Sequence, residues 1–402
     1  MLRLVMMMIA ILFISALLIE QTTCDVETFR LPARVRSPSP LAFSFDHALS
    51  RNEKTGEIIW ADSKSLWINS TADGQGSKRW FPIAGEIHPG RVPSKQWRNE
   101  LTKMKAGGLN TISVYVFWIY HEEERNKFIF DGRRDIRSFL QLAASLDLKV
   151  LLRIGPWDHG ECRNGGHPDW VLTQCGKLRS SDPAYLSCVE DFYRELGAQV
   201  EGLFWRDGGP VFAIQLDNET SDWKYLLALK AIASKYFSPA YFAKTGWPAP
   251  ADAPANLPLM PYFGGYPDLF WTNDMHPDPA SSAYRFSNFS TGKSLPYLGI
   301  EIGGGMATAY NHRVHLESDD LPSLHLVDVG SGYSSLGYYM FHGSYMFFSI
   351  RLRITFVVIL RALREFHSSL TYSFLFSPLR MLLLLQAATI HTRLPTKATI
   401  RR

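Results

Sequence analysis

The chain has 402 residues, 46% hydrophobic and 20% charged, with 42 Lys and Arg set against 38 Asp and Glu. This is globular composition, with room for one large domain or two ordinary ones, and four cysteines are too few to staple a fold of this size. Aromatic residues reach 13%, including 11 Trp, and such side chains suit platforms for amphipathic ligands such as sugars as well as cores.

The N-terminus carries Arg3 and then an apolar run from Leu4 to Ile19 that gives way to polar residues before Cys24. That order predicts a secretory signal peptide over residues 1–24, or a membrane anchor if the segment is retained, since spanning takes about 20 apolar residues. The rest of the chain is then expected outside the cell or in an endomembrane lumen such as a vacuole or lysosome. Asn-x-Ser/Thr sequons at Asn69 and Asn288 agree with that route and are candidate glycosylation sites. A third, Asn218-Glu219-Thr220, follows an apolar run and is expected to be inaccessible.

After a lead-in segment over residues 25–79, short apolar segments recur. Four are plain: Phe81-Pro-Ile-Ala-Gly-Glu-Ile-His, then Asn110 to Trp118, Lys149 to Trp157 and Pro210 to Glu219. Four weaker ones follow at Tyr241–Trp247, Met260–Trp271, Leu295–Gly305 and Leu336–Gly343. Between the first few lie amphipathic stretches with apolar residues every three or four positions, so strand and helix alternate and the strands run parallel. Eight such units from Phe81 to His342 occupy 262 residues (342 − 81 + 1), near the roughly 250 of an eight-stranded (β/α) barrel. An open doubly wound sheet is disfavoured, because no Gly-x-Gly-x-x-Gly follows the first strand. The expected fold is a TIM barrel over residues 80–343.

Three cysteines, Cys162, Cys175 and Cys188, lie close together, and the expectation is one local disulfide, Cys162 with Cys175. No CxxC pair or His cluster has metal-ligand spacing, so neither a metal nor a cofactor is implied.

The last stretch, residues 344–402, has no Gly or Trp, one acid (Glu365) and nine Lys or Arg. Removing it leaves 42 − 9 = 33 basic and 38 − 1 = 37 acidic residues, so the basic character belongs to the tail alone. Its composition fits a frame change or unspliced intron better than membrane or nucleic-acid contact.

Barrel chemistry sits at the carboxyl ends of strands. The fourth segment ends in Asp217-Asn218-Glu219 and the seventh at Glu301. They lie 301 − 219 = 82 residues apart, about 27 for each of three strand-helix units, so the two carboxylates should meet across the barrel mouth. A carboxyl pair in a pocket is the apparatus of glycoside hydrolysis, one acid assisting the leaving oxygen and the other attacking the sugar carbon. Each has a structural alternative: Asn218 and Glu219 capping the next helix, and Glu301 pairing with Arg313. His88 and His121 are read as structural.

The stretches Ala84–Trp118, Arg153–Leu172 and Gly208–Glu219 resemble the family 35 glycoside hydrolases, which are β-galactosidases, and the resemblance runs from about Trp80 to Gly343. It implies a retaining exo-β-galactosidase acting on terminal β-galactosyl residues. By that resemblance Glu219 is the acid/base, Glu301 the nucleophile and Asn218 a ligand of the sugar 2-hydroxyl, with Tyr115, Glu161 and Tyr339 as further sugar contacts. Asp217 stands where the family commonly has Glu, Thr220 where it has Tyr and Gly160 where it has Ala. Beyond Gly343 the resemblance stops, so the expectation is a catalytic barrel truncated after its eighth strand and lacking the family's β-sandwich domains. A non-catalytic sugar-binding remnant or an inactive truncated isoform, and another β-glycosidase of the same barrel clan, are the alternatives.

Overall fold

The computed structural model describes residues 45–62, 64–69, 77–245, 257–265, 295–303, 320–330 and 332–342. The proposed signal segment, the tail, Asn288 and Arg313 lie outside the described residues. A small antiparallel sheet comes first, formed by β1 (Ile58–Ala61), β2 (Leu66–Asn69) and β3 (Lys78–Trp80). Eight parallel strands follow: β4 (Ile83–Ile87), β5 (Thr111–Tyr115), β6 (Lys149–Arg153), β7 (Val211–Gln215), β8 (Tyr241–Thr245), β9 (Met260–Gly265), β10 (Tyr297–Gly303) and β11 (Tyr333–His342). They pair in chain order, and β11 returns to β4 with Leu336 beside Ile83, closing a barrel. Every segment expected from the sequence forms its strand.

These segments become strands because both faces are covered. β5, β7 and β8 are buried along their whole length, as a parallel strand between barrel interior and outer helices must be. The outer layer includes α1 (Trp97–Ala106), α2 (Ile136–Ser145), α3 (Pro183–Val200), α4 (Trp223–Ala233) and α5 (Asp320–Gly330). In α2, Ile136, Phe139, Leu140 and Ala143 share the buried face, and Asp135 caps its start by accepting from the Ser138 amide at 2.9 Å. Asp182 and Pro183 open α3 in the same manner. Asp222 caps α4 through the Tyr225 amide at 3.0 Å, so Asn218 and Glu219 are not used for capping.

The lead-in segment thus contains an ordered sheet. Its Ile59, Leu66 and Trp80 share a core with Leu151, Phe212, Tyr241, Met260 and Leu298 from the starts of β6–β10. The Trp80 ring meets Phe212 edge-on at 4.8 Å, and Trp205 Nε1 donates to the Ser50 carbonyl at 2.9 Å. This packing covers the end of the barrel opposite its carboxyl mouth. Asn69 is half-buried on β2, its Oδ1 accepting from Trp60 Nε1 at 2.8 Å and Ser77 Oγ at 2.6 Å.

The disulfide is corrected by the structure: Cys175 bonds Cys188, and Cys162 is a free thiol. Cys175 and Cys188 are buried in one core beside α3, with Cα atoms 6.1 Å apart, whereas Cys162 sits in the loop above β6. Closeness in sequence does not decide which Cα pair comes within bonding range.

Candidate active site

The site is built on Arg153, the last residue of β6, flanked in register by Tyr115 of β5 and Gln215 of β7. Its guanidinium is fully buried, where a charge persists only with partners. Nη1 donates to Glu86 Oε2 at 3.2 Å, and Nη2 donates to Asn218 Oδ1 at 2.8 Å and to Glu301 Oε1. The plane stacks 3.8 Å from the Tyr115 ring centre. Burial alone opposes the charge, but Glu301, Tyr115 and Glu86 outweigh it and push the arginine well above its ordinary value. On Glu86 burial likewise raises the carboxyl, yet Arg153 and His88 prevail and hold it below the usual range. Its Oε1 lies 3.3 Å from His88 Nε2, close but misaligned for a hydrogen bond.

Glu301 from β10 takes Oε1 hydrogen bonds from Arg153 and from Tyr115 Oη, the latter at 3.2 Å. Burial drives the Tyr115 phenol well above its ordinary value, so it remains a donor. Two donors on one oxygen fix the direction of the Glu301 carboxyl.

The turn after β7 is held from behind. Asp217 and Glu219 both have left-handed backbone, φ 51° and 52°, a conformation that Asp tolerates and Glu adopts at a cost. Arg179 grips this turn through one terminal nitrogen, donating to Asp217 Oδ1 and the Asn218 carbonyl at 2.6 Å each, and to the Glu219 carbonyl at 3.3 Å. Tyr225 Oη donates to Asp217 Oδ2 at 2.9 Å, and the Asp217 amide donates to the Gly155 carbonyl at 2.7 Å. Asp217 is therefore a fastener of the turn, while Asn218 and Glu219 are presented by it.

The Asn218 amide has only one orientation open to it. Its Oδ1 faces two donors, Arg153 and Gln215 Nε2 at 3.0 Å, and Gln215 is itself fixed because its Nε2 also donates to the Asp217 carbonyl at 2.9 Å. Nδ2 consequently points at His159 Nδ1, 3.2 Å away. With Asn218 only 2% exposed, the sequon there is closed to glycosylation. Glu219 stands half-exposed at the mouth, its Oε2 3.1 Å from the same His159 Nδ1. That contact holds its carboxyl below the ordinary glutamate range, against a smaller opposing effect of burial and with help from Arg153 and Arg179.

The other expected sugar contacts meet on the far side. Tyr339 Oη of β11 donates to Glu161 Oε2 at 2.9 Å, and Arg91 ties down that loop through the Gly160 carbonyl at 2.6 Å. Gly160 has φ 53°, and a Cβ there would lie 2.5 Å from the Phe117 ring, so this position in this chain leaves no room for a side chain. Buried His88 joins the two halves, its ring 5.4 Å from Tyr115 and 6.5 Å from Tyr339, and His121 bonds only the Ile129 carbonyl on the structural side.

All six expected site residues thus gather at the carboxyl mouth. Arg153 and Glu86 escaped the sequence analysis although each left a signal: Glu86 is a charge inside an otherwise apolar strand, and Arg153 follows three apolar residues at the end of β6, and each must find a partner. His159 and Arg179 left none. A model of the Glycosyl hydrolases family 35 matches residues 73–351, more than half of the chain.

The chain belongs to this family.

Among its relatives are Beta-galactosidase 17 of Arabidopsis thaliana, 31% identical over 290 residues (70% of this chain, 41% of that one), and Beta-galactosidase of Mus musculus, 41% identical over 150 residues (36% and 23%). Beta-galactosidase of Xanthomonas manihotis is 33% identical over 253 residues, 61% of this chain and 40% of that one. The chain therefore spans less than half the length of these relatives. Among solved structures, the beta-galactosidase from the psychrophilic Marinomonas ef1 superposes with a TM-score of 0.55 at 11% identity, covering 73% of this chain and 61% of that one. The exo-beta-1,4-mannosidase Op5Man5 from Opitutaceae bacterium strain TAV5 gives 0.52 at 15% identity, with coverage of 74% and 61%. At such identity the likeness speaks for the barrel fold alone.

Proposed function

We propose that the protein is a retaining, exo-acting β-galactosidase, with Glu219 as acid/base and Glu301 as nucleophile. The supporting observation is that Arg153 holds both Glu301 and Asn218 at the barrel mouth, with Glu219 the next residue of the same turn. Glu219 protonates the departing oxygen while Glu301 attacks the anomeric carbon; Glu219, now ionised, then draws a proton from the water that releases galactose. A carboxyl separation of about 5–5.5 Å accompanies that double displacement. Asn218 binds the 2-hydroxyl, and Glu161, Tyr115 and Tyr339 read the other hydroxyls.

Because Glu219 is held below its ordinary value, its acid form is favoured on the acidic side, and kcat/KM should fall as pH rises through the Glu219 titration. Acidic action and the Cys175–Cys188 disulfide both suit a secretory-route compartment, and we place the protein there. A nitrophenyl β-galactoside assay tests the function: turnover by the parent that vanishes in Glu301→Gln supports it. Saturable galactose binding without turnover identifies a binding remnant instead, and preference for another aryl glycoside identifies a different β-glycosidase.

A further inference from the structure

His159 Nδ1 is claimed by two groups of opposite kind: a donor, Asn218 Nδ2 at 3.2 Å, and an acceptor when ionised, Glu219 Oε2 at 3.1 Å. One ring nitrogen carries either a lone pair or a proton, so it serves one partner at a time. With a bare Nδ1, the Asn218 amide donates to it, or a protonated Glu219 does. With a proton on Nδ1, the ionised Glu219 accepts it and Asn218 has no bond to that nitrogen. The rest of Asn218 does not adjust, since Arg153 and Gln215 hold its oxygen.

We propose that His159 is a positioning residue that couples occupation of the sugar site to the acid/base: a ligand hydroxyl that takes the Asn218 N–H now aimed at His159 leaves Nδ1 wholly to Glu219. The proton between them resides on Nδ1 with Glu219 ionised, or on Oε2 with Nδ1 bare, and in either state the carboxyl is held by the imidazole once the sugar has taken that N–H. This rests on the galactosidase reading for the roles of Asn218 and Glu219, but the competition at Nδ1 stands on contacts alone. The other charges acting on Glu219 are Arg153 from β6 and Arg179 from the loop before α3, and both favour its ionised form; Asp217, on the same turn, faces Arg179. Backbone geometry limits the test variants: His159 has φ 55°, which Asn tolerates well.

His159→Phe keeps a ring without either nitrogen, and His159→Asn keeps a neutral polar group near Nδ1. The kcat/KM profile against pH with a nitrophenyl β-galactoside should show its alkaline limb moved to higher pH in His159→Phe, with the limb of His159→Asn in between. A ¹³C NMR titration of the Glu219 carboxyl, assigned by its loss in Glu219→Gln, reads the same coupling without turnover: its midpoint should rise in His159→Phe, and added galactose should shift it in the parent and not in that variant. A midpoint that His159→Phe leaves unmoved, or that galactose fails to shift in the parent, overturns the coupling. A parent that turns over no substrate while galactose still shifts the midpoint refutes the galactosidase reading and leaves the coupling standing.

Discussion

At the scale of single residues the site is organised by charges that have been taken out of water. Arg153 is matched by three partners and Glu86 is drawn down by Arg153, but Asp158 has no such compensation. It is 1% exposed and neither carboxyl oxygen has a hydrogen-bond partner among the described residues. Burial lifts it well above its ordinary value of 3.8, with Arg153 opposing and Asp217 adding to the lift. A carboxyl raised in the folded state favours folding below its unfolded value and loses that contribution as pH climbs toward the folded one. Asp158→Asn replaces it with a group that cannot ionise. Thermal melts from about pH 4 to about pH 8 should show the variant gaining on the parent as pH rises; a constant offset across the range would contradict the assignment of a buried protonated acid.

Among the elements, strands were legible and loops were not. β7 reads plainly because five consecutive residues are buried on both faces, and its end marks Glu219 because a buried run that stops in Asp-Asn-Glu must either cap something or present something. The loops around the site take their course from left-handed residues that are not glycine, including His159, Glu161, Asn164 and Arg179. Asn and His visit that conformation more often than most residues, but neither they nor Glu or Arg adopt it often enough to mark a loop's course in sequence, so the contacts of His159 and Arg179 could not be foreseen. The same blindness misassigned the disulfide. In the structure it closes a 13-residue separation whose loop carries Arg179, the residue that grips the Asp217–Glu219 turn. Cys175→Ala with Cys188→Ala should therefore cost about 3 kcal/mol of stability and lower kcat along with it, because the turn that presents Glu219 loses its anchor. A denaturant midpoint unchanged from the parent would remove this link between the bond and the site.

For the whole molecule, closure is what turns separated sequence signals into one site. Glu219 and Glu301 belong to strands that share no ladder, and they converge only because β11 returns to β4 and brings every carboxyl end to one mouth. The barrel was readable from the rhythm of apolar segments, while the three-stranded sheet covering its opposite end was not, since short strands over residues 58–80 lack a distinguishing period. The central claim, a nucleophile at Glu301 served by an acid/base at Glu219, is tested most directly by trapping. An activated 2-deoxy-2-fluoro-β-galactoside should leave its sugar covalently on the peptide containing Glu301, as read by mass spectrometry, and leave Glu301→Gln unlabelled. A label on any other residue, or turnover that releases α-galactose, would contradict it.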